Sequence, residues 1–208
     1  MTDLDPTELW LMPLDRLHLT ALEITHSLTD PELRSIIAAM GPSTIEKMTD
    51  YPYSHRARLI KPILSYDGAA VALSFLPAAG ESLPSSKAQG ERMKEDDNFT
   101  YHHLRRDLFN IACAAGVSID SRYVVPSSHI TVARFLTQSD HDGMEKMEKW
   151  FEKIDEINGW LEREFWPRDG EERNLKAEWL VGEGKGLDCR EGTLWYGGGQ
   201  TVRLGKGF

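Results

Sequence analysis

Two short stretches each set an imidazole and a hydroxyl two residues apart: His18-Leu19-Thr20 and His129-Ile130-Thr131. In an extended strand, residues i and i+2 project from one face. Each stretch therefore presents its imidazole and its hydroxyl side by side. The flanking residues are strand-like in both copies, Leu17-His18-Leu19-Thr20-Ala21-Leu22-Glu23-Ile24 and Ser127-Ser128-His129-Ile130-Thr131-Val132-Ala133-Arg134-Phe135, and each copy follows a proline, Pro13 or Pro126. Two such pairs facing across a cleft would hold two groups that exchange a proton near pH 7, and two hydroxyls to grip oxygens. That equipment can open a cyclic phosphodiester without a metal. One histidine would deprotonate water, the other would protonate the departing oxygen, and the threonines would hold the non-bridging oxygens.

The two motifs, 111 positions apart in a chain of 208 residues, resemble those of the two-histidine (2H) phosphoesterase superfamily. Within it, the chain is similar to the branch described as RNA ligase/cyclic nucleotide phosphodiesterase-like, over residues 12–27 and 121–136. The resemblance implies an α+β chain forming a single bilobal domain over residues 1–208. Two antiparallel sheets would be related by a pseudo-two-fold axis around a central cleft, with helices outside. It also implies that His18 and His129 act as general acid and base, in either order, and that Thr20 and Thr131 hold the substrate phosphate. A small cyclic nucleotide or an RNA 3′ end is the expected partner. A module that binds such an end without turning it over remains open, as does an end-trimming exonuclease or a 2′–5′ RNA ligase. For either histidine alone, an inert, hydrogen-bonded core histidine is the simpler reading; the repetition with Thr at i+2 favours chemistry.

Other residues carry less. Tyr123, six positions before His129, could line the groove mouth and stack on a base; Tyr53 and Trp179 read as core or rim. Arg134 is one residue out of phase with Thr131, so strand alternation points it away from the cleft, as it does its counterpart Glu23; Arg122 is left open. His26 reads as a loop or capping residue, and His102, His103 and His141 as solvated. The basic run His55-Arg56-Ala57-Arg58-Leu59-Ile60-Lys61 reads as a solvated strand edge or, less simply, a phosphate-steering patch. No metal and no cofactor is expected: there is no His-Glu-x-x-His and no cysteine pair at finger spacing. The glycines of 182–186 and 197–199 lack the Walker pattern and read as turns.

A net charge of −9 and a pI near 5.3 argue against a long nucleic-acid duplex as partner, since duplex-binding surfaces are usually basic. No apolar run approaches the ~20 residues of a membrane span, so no membrane partner is expected. The acidic start Met1-Thr2-Asp3-Leu4-Asp5 lacks a secretory pattern. Cys113 and Cys189 are too few for a disulfide framework, with Cys113 expected as a small buried side chain. An intracellular monomer, cytoplasmic or nuclear, is the natural expectation.

The elements that must position the motifs follow from punctuation and periodicity. Residues 14–25 and 121–136 read as the two motif strands. Between them, Asp30 as N-cap and Pro31 start a helix that stops at Gly41-Pro42, and Ser43–Met48 forms a second short one. Residues 57–76 form a hairpin about Tyr66-Asp67-Gly68, with Pro62 at an edge or bulge. Residues 77–98, rich in Pro, Gly, Ser and charge, read as a flexible loop, a lid or a disordered stretch. A helix spans 100–115, its stripe being Leu104, Leu108, Ile111, Ala112 and Ala115, and ends at Gly116. An acidic helix over 139–165 carries Met144, Met147, Trp150, Phe151 and Ile154 on one side, with Asn158-Gly159 a point of interruption. Trp179-Leu180-Val181, Leu194-Trp195-Tyr196 and Val202-Arg203-Leu204 read as terminal strands.

Overall fold

The computed structural model describes residues 8–79, 97–121, 127–139, 142–168, 178–196 and 198–208. Among them the chain is α+β, with a curled five-stranded antiparallel sheet, a two-stranded hairpin and three helices. The large sheet has the order β1-β4-β3-β2-β5, from β1 (Leu9–Leu11), β2 (Arg58–Tyr66), β3 (Ala70–Pro77), β4 (Ser128–Phe135) and β5 (Trp179–Leu180). β6 (Lys185–Glu191) and β7 (Gln200–Lys206) form the separate hairpin. The expected pair of matching sheets is therefore not what the described residues form.

The hairpin of β2 and β3 turns where expected. The Asp67 carboxylate accepts the N–H groups of Ala69 and Ala70 at 2.7 and 2.9 Å, closing the turn. Pro62 lies in a bulge between Ile60 and Ile63, with Lys61 at φ +52. α1 (Asp30–Thr49) is bent at Gly41, whose φ of +68 breaks the helix just before Pro42. The two helical segments read from the sequence are thus present. The N-cap is Thr29 rather than Asp30, because the Glu32 carboxylate accepts both the Thr29 N–H and its hydroxyl, at 2.8 and 2.6 Å.

α2 (Tyr101–Ala114) is capped by Thr100 and buries Tyr101, Leu104, Leu108 and Ala112 in the main core with Met40, Ile45, Met48, Leu59 and Val181. Cys113 points outward, contrary to expectation, because it falls one position off that stripe. His103 is not simply solvated: its Nδ1 accepts the Thr100 N–H at 3.1 Å.

α3 (Met144–Phe165) runs unbroken through Asn158-Gly159. The Asn158 side chain turns outward from the helix instead of ending it. Its Oδ1 accepts the Leu64 N–H at 2.7 Å and its Nδ2 donates to the Leu64 carbonyl at 3.0 Å, imitating a neighbouring strand along β2. Trp166 adds a bond to the Pro62 carbonyl at 2.9 Å.

The basic run is solvated only in part: Arg56 is exposed, but Ala57 to Ile60 are buried. Ala57, Leu59 and Ile60 are core residues, and Arg58 is buried against Asp97 and Glu178, at 2.5 and 3.3 Å. Pro77 belongs to β3 and the buried Ala78 and Asp97 to the packed body, so the expected loop is shorter at both ends; residues 80–96 lie outside the described residues. Leu194-Trp195-Tyr196 is not a strand but part of the loop joining β6 to β7.

Candidate functional site

β4 supplies the second motif. On one side it pairs with β3, where Ile130 faces Leu73, His129 faces Ser74 and Thr131 faces Ala72. Directly paired residues of neighbouring strands share a face, so His129 and Thr131 stand beside Ser74, whose hydroxyl lies 2.6 Å from that of Ser65.

The first motif reaches the same strand from its other side. β1 pairs with β4 through Leu9, Trp10 and Leu11, and Met12 still donates to the Val132 carbonyl at 2.9 Å. A 3-10 turn at Leu14–Arg16 then lifts the chain away. It returns as a single antiparallel bridge, Leu19 to Ile130. The expected strand over 14–25 is therefore reduced to that bridge, since the turn and Pro13 take up the residues before it. By antiparallel count, the bridge sets His18 opposite Thr131 and Thr20 opposite His129. The two His-x-Thr segments thus adjoin crosswise on one sheet, with His18 in register with Thr131 and Thr20 with His129.

Both imidazoles are held by local bonds through Nδ1. His18 Nδ1 donates to the Arg16 carbonyl at 2.9 Å; a carbonyl only accepts, so this nitrogen carries the hydrogen and Nε2 is left for chemistry. His129 Nδ1 lies 2.9 Å from the Ser127 hydroxyl. His18 is exposed and His129 half-buried. Burial foremost, then the positive charges of Arg105 and His18, depress the His129 pKa below its ordinary value, with Asp67 opposing. The charged form of His129 is thereby disfavoured, and the His18 charge is felt there. Among the described residues, neither the Thr20 nor the Thr131 hydroxyl is engaged by a protein group.

α2 fixes the first motif from behind. Tyr101 Oη donates to the Thr20 carbonyl at 3.1 Å, and Arg105 Nη1 reaches the same oxygen at 3.4 Å. Tyr101 is fully buried, which pushes its phenol up to about 12. Arg105, also buried, puts a cation beside His129. Sequence reasoning passed over both residues. The signal was present: Tyr101 and Arg105 sit on the same helical stripe as Leu108 and Ala112, and a charge on a buried stripe calls for a partner.

Arg134 corrects the alternation argument. Val71 faces Ala133 while Ala72 faces Thr131, so Val132 is an extra residue in β4. Past this bulge the faces exchange, and Arg134, opposite Ala70, shares the face of His129 and Thr131. Glu23 accepts from Ser121 at 3.5 Å. Trp179 packs edge-on against Phe75 in the core, and Tyr53 is exposed. Tyr123 and Arg122 lie outside the described residues, as does His141. His26 Nδ1 meets the Ser27 hydroxyl at 3.1 Å in a loop. No group of three or more His, Cys, Asp or Glu able to hold a metal occurs among the described residues, and no described helix is long and apolar enough to cross a membrane.

Fold and site together define an α+β protein with two adjoining His-x-Thr segments on one half-buried sheet face. No family model, curated protein or solved structure matches the chain.

Proposed function

We propose that the chain is a metal-independent phosphodiesterase of the two-histidine kind, opening a 2′,3′-cyclic phosphate on a nucleotide or RNA end. The observation that carries this reading is the Leu19–Ile130 bridge, which joins the two motifs in register, His18 opposite Thr131 and Thr20 opposite His129. His129, whose charged form burial and nearby cations disfavour, takes a proton from water. The water oxygen attacks phosphorus, and the ring P–O bond breaks. His18, through Nε2, gives its proton to the departing ribose oxygen, and Thr20 and Thr131 donate to the non-bridging oxygens.

The test is hydrolysis of a panel of 2′,3′-cyclic nucleotides in EDTA, with products identified. Ring opening to one phosphomonoester is expected, falling on the order of 10²–10⁴-fold in either His18→Ala or His129→Ala. Tight binding of the panel without turnover would replace the enzyme by a binding module. Full activity in either variant would remove that histidine from the mechanism.

A further inference from the structure

The loop between β6 and β7 is shaped to present aromatic rings at one end of the motif face. Gly199, at φ +80, leaves no room for a Cβ beside Leu194 and the Glu191 carbonyl, and Arg190 ties down the Gly198 and Gly199 carbonyls at 2.9 and 3.1 Å. In this loop the side chains of Leu194, Trp195 and Tyr196 are exposed. Arg134 meets them there: its guanidinium lies 4.3 Å from the Trp195 ring centroid and 5.6 Å from that of Tyr196, and donates to the Trp195 carbonyl at 3.2 Å. Trp10, paired with Arg134 across β1 and β4, closes the cluster edge-on against Tyr196 at 4.9 Å.

Burying three aromatic rings together would be ordinary core packing. Here Trp195 and Tyr196 stay 45% and 46% exposed although an arginine and a bulge both serve to hold them in place. The bulge brings Arg134 onto the face of His129 and Thr131, and its charge is felt by His129. On β3 the partners of Arg134 and of Ile130, which lies midway between His129 and Thr131, are Ala70 and Leu73, so three residues of strand set Arg134 about 10 Å from the centre of the motif pair. That span exceeds the reach of the nucleoside carrying the cyclic phosphate and suits its neighbour. A rigid aromatic face backed by a cation is what stacks on a base without reading its identity.

We propose that Trp195, set by Arg134 and flanked by Tyr196 and Trp10, is the stacking platform for the base next to the cyclic phosphate, so that the substrate is an RNA end rather than a free mononucleotide. This rests on the phosphodiesterase reading of the His-x-Thr pair. The experiment compares a dinucleotide ending in a 2′,3′-cyclic phosphate with the matching cyclic mononucleotide. The native chain should favour the dinucleotide in kcat/KM. Trp195→Ala should lower dinucleotide turnover on the order of tenfold to hundredfold, leaving the mononucleotide unchanged. Equal rates on both substrates in the native chain, or equal losses on both in the variant, would overturn the platform. Should the native chain turn over neither, the phosphodiesterase reading fails by itself. Tryptophan fluorescence on titration with the dinucleoside monophosphate ApA then decides: quenching lost in Trp195→Phe keeps the platform, and absence of quenching in the native chain removes it.

Discussion

Thr20 lies opposite His129 because Leu19 pairs with Ile130, and this one bridge places a residue of the N-terminal part against the imidazole of a strand more than a hundred positions later. The arrangement makes the two histidines unequal. His129 is half-buried and near Arg105, whereas His18 is exposed. With His129 as base, the acid limb of the kcat/KM–pH profile reports its deprotonation and should lie below the usual histidine value near 6.5. Arg105→Gln removes one depressing charge, so the acid limb should move to higher pH. An unmoved limb would show that it belongs to another group.

The same shift links to stability. The folded pKa of His129 is depressed, so between that value and about 6.5 the unfolded chain binds more of this proton than the folded one. Its contribution to stability is complete above about 6.5 and is lost as pH falls through the folded pKa. Urea midpoints should therefore decline as pH drops below neutrality, and His129→Asn should flatten that part of the slope. Asp50, whose pKa the Arg203 hydrogen bond lowers, acts at more acidic pH, where its carboxylate protonates.

The Tyr101 hydroxyl fixes the carbonyl of a motif residue, 3.1 Å from Thr20 O. Tyr101→Phe keeps the ring packing and removes that bond, leaving Arg105 alone on the oxygen. Stability should fall by about 1 kcal/mol, the net worth of one such bond. Turnover should fall further than substrate affinity, because Thr20 loses its fixed position. A drop in stability with unaltered kcat would restrict Tyr101 to folding.

Several elements were legible because short-range chemistry decides them. Gly41-Pro42 cannot continue a helix, Asp67-Gly68 closes a hairpin, and Thr100 to Gly116 carries both caps and stripe of α2. What escaped depended on distant partners. Residues 14–25 have the apolar character of a strand, but a 3-10 turn and a place outside β4 leave only Leu19 paired. The extra residue Val132 reverses the side taken by Arg134, and strand alternation cannot announce a bulge. The motif duplication suggested matched sheets, whereas the first copy borrows the strand of the second.

The buried Arg58–Asp97 pair ties the start of β2 to the residues before α2. Asp97→Ala leaves Arg58 buried beside Glu178, at 3.3 Å. Removing one member of a buried pair costs about 3–5 kcal/mol; with Glu178 retained, the lower end is expected. Thermal unfolding of Asp97→Ala and of Arg58→Met/Asp97→Leu distinguishes the terms. The double variant should recover part of the loss, because it removes both charges of the buried pair while Glu178 loses its contact with Arg58.

Asn158 sets helix propensity against sheet protection. Alanine is the better helix former by roughly 0.6 kcal/mol, which would stabilise α3 in Asn158→Ala. The same change strips the Leu64 N–H and carbonyl of the two side-chain bonds at 2.7 and 3.0 Å, in a part-buried setting. Each orphaned backbone group costs about 1–3 kcal/mol when water cannot replace the partner. The loss outweighs the gain, and a net destabilisation of at least about 1 kcal/mol is expected in urea unfolding. A stretch of β2 backbone is also uncovered, available to a strand of another molecule. Size-exclusion chromatography at rising concentration should show self-association in Asn158→Ala that the native chain lacks. A variant more stable than native would mean that water reaches the β2 edge and that propensity alone governs this position.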